Sequence, residues 1–558
     1  MAVPYTPGPR LLPLRLPRLC IAISAAEGAE MVQKAEAACR DNFFLEFRLD
    51  HLRRPGPGLQ KISRFLHSHP EVVAIGTCRR VPHGGRFRGS AASELEILAK
   101  AARAGCQLLD VELETAEGLK PQVFNRLRTM AAIVLSYHDF RGTRKLDETF
   151  ERMLKLPAEV YKLVTTASSL ADNVTMMRFL ERVAPQQSVV GLCMGEQGMV
   201  SRVLSLRAGS AFTFGSFAEG EETGPGQITA RKLRDLYRVE AVDRATRVYG
   251  VGGNPVGESL SPAMMNAAFR RETVNAVFVP MCARTVLDLL NCIREVPVHG
   301  VSVTMPYKQE ILQHLDNTDP VTARIGACNT IVRTQDGKLF GFNTDVAGVV
   351  RPLEQRMHIA GSKILVIGAG GAARAAVFGL KDRGADVFIL NRTAEKAQKL
   401  ARQAKARFIK RADVRKAEFD AIINATPVGM SNGKDSPLNP DELNAKLVFD
   451  MVYQRETRLL RMAREKGLQV ITGEEMFVQQ GARQFETWTA KPAPLQEMQS
   501  VVHNSLAAER PETIAGRNGQ PAARPAARPP ESPGPRGKAQ RRPQGSRRPQ
   551  GSRRKTKA

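Results

Sequence analysis

The amino-acid sequence predicts an α/β protein, in which an N-terminal (β/α)8 barrel precedes a small αβ domain and a doubly wound parallel sheet. The repeated strands of the first half and the glycine-rich turn of the second half predict this fold class, while a lysine within a strand points to chemistry. In the first half, short apolar strands alternate with amphipathic helices eight times. A single lysine, Lys162, stands inside one of those apolar strands. In the second half, a glycine-rich turn at Gly368 joins an apolar strand to a helix.

Length and composition favour several globular domains. The chain has 558 residues, of which 42% are hydrophobic, and this is too long for one ordinary core. No apolar stretch reaches the roughly 18 residues that a membrane span needs. The eight cysteines form no CxxC pair and have no metal-ligand spacing with histidine. We therefore expect buried thiols, no metal, and a reducing, cytoplasmic location.

The two ends of the chain differ in composition from the rest. Residues 1–18 are rich in proline and are predicted to be a disordered leader. Residues 510–558 are rich in Pro, Gly, Arg and Gln, and they carry much of the net charge of +26. We expect this tail to be disordered. It lacks aromatic residues for base stacking, so nucleic-acid binding through it would be non-specific and salt-sensitive, and a solubilising extension is the favoured alternative.

The barrel is predicted over residues 19–240. Its strands are expected at 19–24, 43–50, 71–79, 106–114, 131–140, 160–167, 188–195 and 211–217. Polar side chains gather toward the carboxyl ends of these strands, which is where barrel enzymes place their active sites. Alternation along a strand puts three pairs on common faces: Glu46 with Arg48, Asp110 with Glu112, and Ser136 with His138.

Lys162 is the only lysine in the eight predicted strands, which points to chemistry rather than packing. A buried lysine can lose its proton and form a Schiff base with a ketone. His138, one strand away, is a candidate acid–base group that Glu112 would orient, and Arg202 is a candidate clamp for a carboxylate. Taken singly, a strand histidine and an arginine after a strand are more often structural. Their joint placement in eight-strand register favours a catalytic site.

From about Leu19 to Tyr237 the chain resembles the type I 3-dehydroquinate dehydratases. The motifs that carry the resemblance lie at 46–50, 136–140, 162–167, 194–202 and 225–228. The resemblance implies syn elimination of water from 3-dehydroquinate, with a Schiff base on Lys162 and His138 as the proton shuttle, supported by Glu112. It also implies substrate contacts from Glu46, Arg48, Arg79, Arg202, Thr223 and Gln227.

The second half is predicted to contain two domains. Strands at 248–254, 274–281, 300–306 and 329–332 belong to a small domain of residues 246–350, which a helix at 476–489 rejoins within 475–508. A crossover is expected at 352–361. Strands at 363–370, 385–391, 421–427 and 447–453 alternate with helices as a doubly wound, Rossmann-type domain of residues 351–474.

The glycine-rich turn is followed by a basic cluster that indicates the cofactor. Arg392 comes at the end of the next strand, where an acidic residue would bind a ribose hydroxyl and favour NAD. Arg392 and Lys396 instead offer cations to a 2′-phosphate, so NADP is favoured. In the small domain, Lys308 and Asp345 each follow a strand, and such a pair can move the proton that accompanies hydride transfer. Each cluster alone can also be an ordinary turn or helix cap.

From about Thr246 to Ala508 the chain resembles the shikimate dehydrogenases. The resemblance implies that Lys308 and Asp345 form the catalytic pair. It implies shikimate binding by Ser259, Ser261, Thr304, Asn329, Thr344, Tyr453 and Gln480. It implies NADP binding by Gly368, Ala369, Gly370, Gly371, Ala372, Asn391, Arg392, Thr393, Lys396, Thr426, Met430 and Met451. Glu258 departs from the family, which more often has histidine before Ser-Leu-Ser, and this leaves a shifted substrate open.

The two halves fit end to end, because the product of the first is the substrate of the second. We therefore expect a bifunctional enzyme of the shikimate pathway, a lyase and an oxidoreductase on one chain. The alternatives are that one half is inactive or has shifted to a quinate-like substrate. The sequence leaves the oligomeric state open, with a homodimer as one option.

Overall fold

The computed structural model describes residues 15–296, 298–431, 433–453 and 456–508. The predicted disordered tail and most of the predicted leader lie outside these ranges. Residues 15–18 of that leader are described, and there the Arg18 guanidinium donates to the carbonyl oxygen of Leu206 at 2.9 Å and to that of Val242. Its own carbonyl accepts from Thr213 N at 2.9 Å. The prediction of a disordered leader is therefore wrong for this residue, which is tied to the barrel.

Residues 19–216 form a parallel eight-stranded sheet, which confirms the predicted barrel. The strand order is β7-β6-β5-β4-β3-β2-β1-β8, and Ala211 N donates to Val189 O at 2.8 Å across the remaining gap. The strands are buried almost throughout, as expected when helices cover a parallel sheet. They are β1 Leu19–Ile23, β2 Phe44–Arg48, β3 Val73–Thr77, β4 Leu108–Glu112, β5 Ala132–His138, β6 Val160–Thr166, β7 Val189–Met194 and β8 Thr213–Ser216.

Amphipathic helices surround the barrel, and their first turns carry ordinary capping signals. Ser90 Oγ accepts from Ser93 N at the start of α3, and Ser169 with Asp172 forms a capping box at the start of α7. The helices are α1 Gly28–Ala38, α2 Pro55–Ser68, α3 Ala91–Arg103, α4 Leu113–Glu117, α5 Pro121–Arg128, α6 Leu146–Leu154, α7 Leu170–Val183 and α8 Met199–Leu204.

The second sheet has the order β10-β9-β11-β13-β14-β12, with β13 antiparallel to both neighbours. Its strands are β9 Arg247–Gly253, β10 Ala276–Cys282, β11 Val298–Val303, β12 Asn317–Thr318, β13 Thr330–Arg333 and β14 Leu339–Phe342. Strand β12, which has only two residues, was not predicted from the sequence. The helices that follow these strands are α9 Ser261–Arg271, α10 Val286–Glu295 and α11 Pro320–Ile325.

The third sheet is entirely parallel, with the order β17-β16-β15-β18-β19-β20. This is the strand order of dinucleotide-binding sheets, with the switch point between β15 and β18. The strands are β15 Lys363–Ile367, β16 Asp386–Leu390, β17 Arg407–Phe408, β18 Phe419–Asn424, β19 Ala445–Asp450 and β20 Gln469–Ile471, and the helices are α12 Asp345–Glu354, α13 Gly371–Asp382, α14 Ala394–Ala404, α15 Arg411–Val414 and α16 Arg458–Glu465. The short β17 and β20 were not predicted.

Helix α12 leads from the second sheet to the third, and α17 Gly473–Thr489 leads back to the second sheet. The predicted crossover at 352–361 is wrong in its start, because α12 begins at Asp345 and continues through Pro352. The helix predicted at 476–489 is α17, which returns to the second sheet. It is followed by α18 Leu495–Ala508, a helix that was not predicted. At the second sheet the Trp488 indole donates to Ile331 O at 3.0 Å, and its ring lies against Tyr249 in the core.

Candidate active sites

The barrel holds a polar cavity above an apolar base, and the two-residue period of its strands explains this. On β2 the inward face carries Phe44, then Glu46 and Arg48 toward the carboxyl end, while β6 carries Val160 and then Lys162. The apolar side chains fill the base and the polar ones line the cavity. The cavity lining includes Glu46, Arg48, Arg79, His83, His138, Phe140, Lys162, Met194, Arg202, Phe214, Thr223 and Gln227. Every predicted barrel-site residue except Glu112 is among them.

Lys162 is buried in contact with two carboxylates. Its Nζ donates to Asp110 Oδ2 at 3.0 Å and lies 3.7 Å from Glu46 Oε1 and 4.1 Å from the centre of the Phe214 ring. Burial by itself would raise the pKa of Asp110, but the positive charges of Arg79 and Lys162 outweigh it and hold that pKa well below its usual range. Asp110 is therefore a carboxylate that neutralises the buried lysine.

His138 is buried beside the cations of the cavity. Burial, Arg79 and Lys162 together lower the pKa of His138 well below its ordinary value, with Asp110 opposing them. The ring is therefore neutral at physiological pH. Arg79 Nη1 lies 3.0 Å from His138 Nδ1, and a guanidinium can only donate. In this arrangement the neutral ring carries its hydrogen on Nε2, and Nδ1 can take a proton once Arg79 leaves it.

The expectation that Glu112 orients His138 is wrong. In the described part of the chain no hydrogen bond or ion pair joins the two, and Glu112 instead accepts from Arg80 N at 3.2 Å. Its Oε2 lies 3.4 Å from His83 Nε2, and its Oε1 lies 3.7 Å from Arg79 Nη1. The partner of Lys162 is Asp110, two residues earlier on the same face of β4.

The two other arginines of the cavity differ in how they are paired. Arg48 binds Asp50 through two hydrogen bonds of 3.0 and 2.9 Å. Arg202 is 4% exposed, donates from Nη2 to Pro225 O at 3.0 Å, and has no acidic partner among the described residues. Its Nε has no hydrogen-bond partner there, and burial lowers the pKa of Arg202 to about 10. A buried cation left without a counter-ion is suited to bind an anionic ligand.

A turn that carries Thr223 and Gln227 borders the cavity. Gln227 Oε1 accepts from Thr223 N at 2.7 Å and from Thr223 Oγ1 at 3.1 Å. Gly226 has φ +67°, and a Cβ on it would lie 2.3 Å from Gly195 O, so only glycine fits. The turn thus holds the amide of Gln227 at the cavity.

Three residues of the cavity region were missed by the sequence reasoning. Asp110 shares its strand face with Glu112, so the signal was present and the wrong member of the pair was chosen. Phe214 follows the two-residue period of β8. His83 lies in a short turn after β3, and its only signal was its place after the carboxyl end of a barrel strand.

The second candidate site contains a tight lysine–aspartate pair. Lys308 Nζ lies 2.6 Å from Asp345 Oδ2, and Asn329 Nδ2 donates to Asp345 Oδ1 at 2.8 Å. Asn329 also donates to Thr344 Oγ1 at 3.0 Å and accepts from Thr344 N at 2.8 Å. Asp345 is the first residue of α12, where the positive end of the helix dipole stabilises a carboxylate. The structure thus brings together four of the predicted residues.

The other predicted substrate residues surround the second sheet. Ser259 Oγ accepts from Ser261 N at 3.2 Å, beside the exposed Glu258. The methyl group of Thr304 lies against Gly253, since a Cβ there would be only 2.3 Å away. On α17, Gln480 Nε2 donates to Phe477 O at 2.8 Å, and the ring of Tyr453 stacks on Phe477.

The glycine-rich turn opens the third sheet at the predicted place. Gly368 has φ +124°, and a Cβ there would lie 2.9 Å from Ala425 O. A Cβ on Gly371 would lie 3.5 Å from Lys308 Cδ, so this turn adjoins the lysine–aspartate pair. One cavity is lined by Ala369, Gly370, Asn391, Arg392, Thr393 and Lys396, with Gln309, Arg374 and Lys399. Ala372 lies in the first turn of α13, and Thr426, Met430 and Met451 follow β18 and β19.

The basic cavity has the donor set that a phosphorylated dinucleotide needs. Gly370 caps the amino end of α13, and backbone N–H groups at such an end bind a pyrophosphate. Arg392 and Lys396 are exposed, and they offer positive charge to a further phosphate. Among the described residues no helix is long and apolar enough to span a membrane. No cluster of metal-ligating side chains occurs within the same ranges.

Family models match successive parts of the chain. They are type I 3-dehydroquinase at residues 19–244, the shikimate dehydrogenase substrate binding domain at 251–331, shikimate / quinate 5-dehydrogenase at 352–431 and the shikimate 5'-dehydrogenase C-terminal domain at 473–503.

Comparison with curated proteins finds relatives that match most of the chain and relatives that match only its second half. The bifunctional 3-dehydroquinate dehydratase/shikimate dehydrogenase, chloroplastic, of Arabidopsis thaliana is 34% identical over 81% of this chain and 78% of that protein. The shikimate biosynthesis protein AroDE of Chlamydia pneumoniae is 30% identical over 66% of this chain and 75% of that protein. The shikimate dehydrogenase (NADP(+)) of Pyrococcus furiosus is 39% identical over 47% of this chain and 96% of that protein.

Proposed function

The chain belongs to the family of bifunctional 3-dehydroquinate dehydratase/shikimate dehydrogenases, and on that premise we propose that its halves catalyse consecutive steps. The barrel half removes water from 3-dehydroquinate to give 3-dehydroshikimate. The second half reduces 3-dehydroshikimate to shikimate with NADPH. The observation that carries the proposal is the buried Lys162, held beside Asp110 in a cavity that also contains a buried arginine for which the described residues provide no acidic partner.

Dehydration begins with an imine on Lys162. The lysine transfers a proton to a neighbouring base, and its amine then attacks the ketone carbon of the substrate, which loses its oxygen as water. The resulting iminium withdraws electrons from the next carbon, so that a proton can leave it. Asp110 and Glu46 lie within 3.0 and 3.7 Å of Nζ, and their charge stabilises the positive iminium.

His138 moves protons in the elimination. Its depressed pKa keeps the ring neutral, so that it can accept a proton at physiological pH. Because Arg79 occupies Nδ1, substrate binding has to draw Arg79 toward the substrate before that nitrogen is free. Arg79 therefore links substrate binding to the acid–base group.

The substrate carboxylate binds Arg202. This guanidinium is desolvated and lacks an acidic partner within the described residues, so a carboxylate restores the charge balance that burial removes. Glu46, Arg48, Thr223 and Gln227 line the same cavity, and they hold the hydroxyl groups of the ring.

The reductase site uses Lys308 and Asp345 as the proton-transfer pair. Lys308 donates a proton to the carbonyl oxygen as it becomes the hydroxyl of shikimate, and Asp345 holds the lysine in place. Asn329 and Thr344 fix the aspartate and, with Ser259, Ser261, Thr304, Tyr453 and Gln480, contact the substrate.

The glycine-rich turn and the basic cluster hold NADP. The amino end of α13, from Gly368 to Ala372, binds the pyrophosphate, and Arg392 with Lys396 binds the 2′-phosphate, beside Asn391 and Thr393. Thr426, Met430 and Met451, which follow β18 and β19, would hold the nicotinamide end. When bound, NADPH supplies the hydride.

The functional units follow the three sheets. The dehydratase occupies 19–240, the shikimate-binding domain occupies 246–350 with 475–508, and the NADP domain occupies 351–474. The enzyme works in the reducing cytoplasm, and what supports this is that all eight cysteines are free thiols. Cell fractionation tests the location, since recovery in a plastid fraction would contradict it. Light scattering tests whether the chain forms a homodimer.

Two separate assays test the proposed activities. With 3-dehydroquinate alone, the purified chain forms a conjugated enone, which is followed by ultraviolet absorbance. With 3-dehydroshikimate and NADPH, it oxidises the cofactor. Failure of either assay under conditions where the other succeeds would assign only one activity to the chain.

A further inference from the structure

His83 occupies a fixed position at the edge of the barrel cavity. It ends a short 3-10 turn, Val81–His83, that follows β3, and it lines the same cavity as Lys162 and His138. Gly84 follows with φ +81°, and a Cβ on Gly84 would lie only 2.2 Å from the ring of Phe140. The ring of Phe140 in turn stacks near His138. The turn is therefore held beside the end of β5, the strand that carries His138.

A carboxylate network surrounds the His83 ring. Nε2 lies 3.4 Å from Glu112 Oε2, and Nδ1 lies 3.6 Å from Glu114 Oε2. Arg80 Nη2 is 3.4 Å from Nε2, and Arg80 Nε binds Glu94 Oε2 at 2.9 Å behind it. Glu112 is 2% exposed, whereas the His83 side chain is 17% exposed. His83 can thus exchange protons with solvent while Glu112 cannot.

We propose that His83 is a second acid–base residue of the dehydration, which donates a proton to the departing hydroxyl, with Glu112 as its positioning residue. The inference rests on the proposed dehydratase function. In the elimination step a C–H bond and a C–O bond break, a C=C bond forms, and water leaves. One proton goes from carbon to a base, and one must reach the hydroxyl oxygen. His83 gives up its proton to that oxygen and regains one from solvent.

The surroundings of the two histidines separate their roles. His138 is enclosed and neutral, and its Nδ1 can take a proton once Arg79 moves toward the substrate, so it suits the part of a base. His83 faces Glu112 and Glu114, which fix the orientation of its ring, as a buried carboxylate does behind a catalytic histidine. Two titratable groups with opposed surroundings in one cavity are the usual arrangement for an acid and a base.

The protonation of the His83–Glu112 pair is compatible with this role. Burial raises the pKa of Glu112 to about 7, with Arg79 opposing. Burial lowers the pKa of His83, with Glu114 opposing, while Arg80 and Arg79 lower it further. A lowered pKa makes the protonated ring of His83 a stronger acid, which favours transfer of its proton to the leaving hydroxyl.

The first test compares H83Q with a matched control, H67Q, on the full chain. His67 is an exposed histidine at the end of α2, outside the cavity lining. For H83Q we expect kcat for 3-dehydroquinate to fall by about 100-fold or more, with KM changed by less than about threefold. Borohydride with 3-dehydroshikimate should still trap the imine on Lys162, as a mass increase in both variants. That adduct reports that the barrel is folded, and an unchanged reduction of 3-dehydroshikimate by NADPH reports that the reductase half is folded.

The outcomes are distinguishable. If H83Q retains kcat within about threefold of H67Q, or loses the trapped adduct together with kcat, His83 is not an acid–base residue. If the unmodified chain forms no adduct and no enone, the dehydratase proposal itself fails.

A second variant, E112Q, tests the positioning role. Removing the carboxylate destabilises the imidazolium of His83, so the alkaline limb of the kcat profile should move to lower pH. Because Glu112 acts through His83, kcat of the double variant H83Q/E112Q should lie within about threefold of kcat for H83Q. Independent, multiplicative losses, or an unshifted pH profile in E112Q, would overturn the pairing.

Discussion

Asp110 Oδ2 lies 3.0 Å from Lys162 Nζ, and the other oxygen of the same carboxylate accepts from Arg79 at 2.8 Å and from Ser136 at 2.6 Å. One buried carboxylate thus holds both the nucleophile and the arginine that occupies His138. We therefore expect that a substrate bound at Arg79 would change the surroundings of the lysine and of the histidine together.

Replacing Arg202 should weaken substrate binding without weakening the fold. A charge-assisted hydrogen bond contributes about 1.5–3 kcal/mol, so R202M should raise KM for 3-dehydroquinate by about 10- to 100-fold. Because Arg202 has no acidic partner among the described residues, its removal relieves a buried charge. Calorimetry should show an unfolding temperature that is unchanged or higher. R103M, at an exposed arginine of α3, is the control. A marked fall in stability with an unchanged KM would contradict the assignment.

Glu94 should make the fold less stable as the pH rises. Burial raises its pKa to about 7, with the hydrogen bond from Thr115 opposing, whereas in the unfolded chain the pKa is about 4.3. The folded state therefore holds the proton more tightly, and stability is lost as the pH rises from about 4.3 through about 7. E94Q removes this dependence. Its stability relative to the unmodified chain should improve by about 1–3 kcal/mol between pH 4.5 and 8.

Calorimetric unfolding across that pH range measures the difference for Glu94. The exposed Glu96 on the same helix supplies the control variant, E96Q, for which the difference should not depend on pH. A pH-independent difference for E94Q would show that Glu94 is charged throughout.

Reversing the charge at Arg392 should change the cofactor preference. R392E places a carboxylate where the 2′-phosphate of NADP binds, and KM for NADPH should rise by about 10- to 100-fold. KM for NADH should change much less, since NADH lacks that phosphate. R402E, at an exposed position later on α14, is the matched control. Equal losses with both cofactors would place the phosphate elsewhere.

Neutralising Asp345 should impair only the reductase. In D345N, Lys308 loses the carboxylate 2.6 Å from its Nζ, and proton transfer slows. We expect kcat for 3-dehydroshikimate reduction to fall by about 100-fold, with the dehydratase rate unchanged. D336N, in an exposed ion pair with Lys338, is the control. A parallel loss of both activities would indicate a structural defect.

The periodic patterns of the sequence predicted the sheets, but they did not predict the contacts between neighbouring loops. All eight barrel strands lie within the predicted ranges, because apolar runs of this length bounded by helices leave few alternatives. Strands of two or three residues, such as β12, β17 and β20, carry too few side chains to show a period. The crossover expected at 352–361 begins inside a helix instead, because α12 continues through Pro352.

The sequence does not distinguish Asp110 from Glu112 as the carboxylate that partners the catalytic groups. Both side chains share one face of β4, so the period of the strand cannot distinguish them. The turn after β3 decides, because it brings Arg80 and His83 onto Glu112 and leaves Asp110 to Lys162. Conformations of such loops are not encoded in a two-residue period.

The most direct test is NADPH oxidation by the purified chain supplied only with 3-dehydroquinate. Two consecutive activities predict steady loss of NADPH. In K162A that loss should fall by about 1,000-fold or more and return when 3-dehydroshikimate is added, since only the imine step is removed. K155A, at an exposed lysine after α6, should behave like the unmodified chain. Undiminished NADPH loss from 3-dehydroquinate in K162A would contradict the Schiff-base role, and no loss in the unmodified chain would contradict the sequence of two reactions.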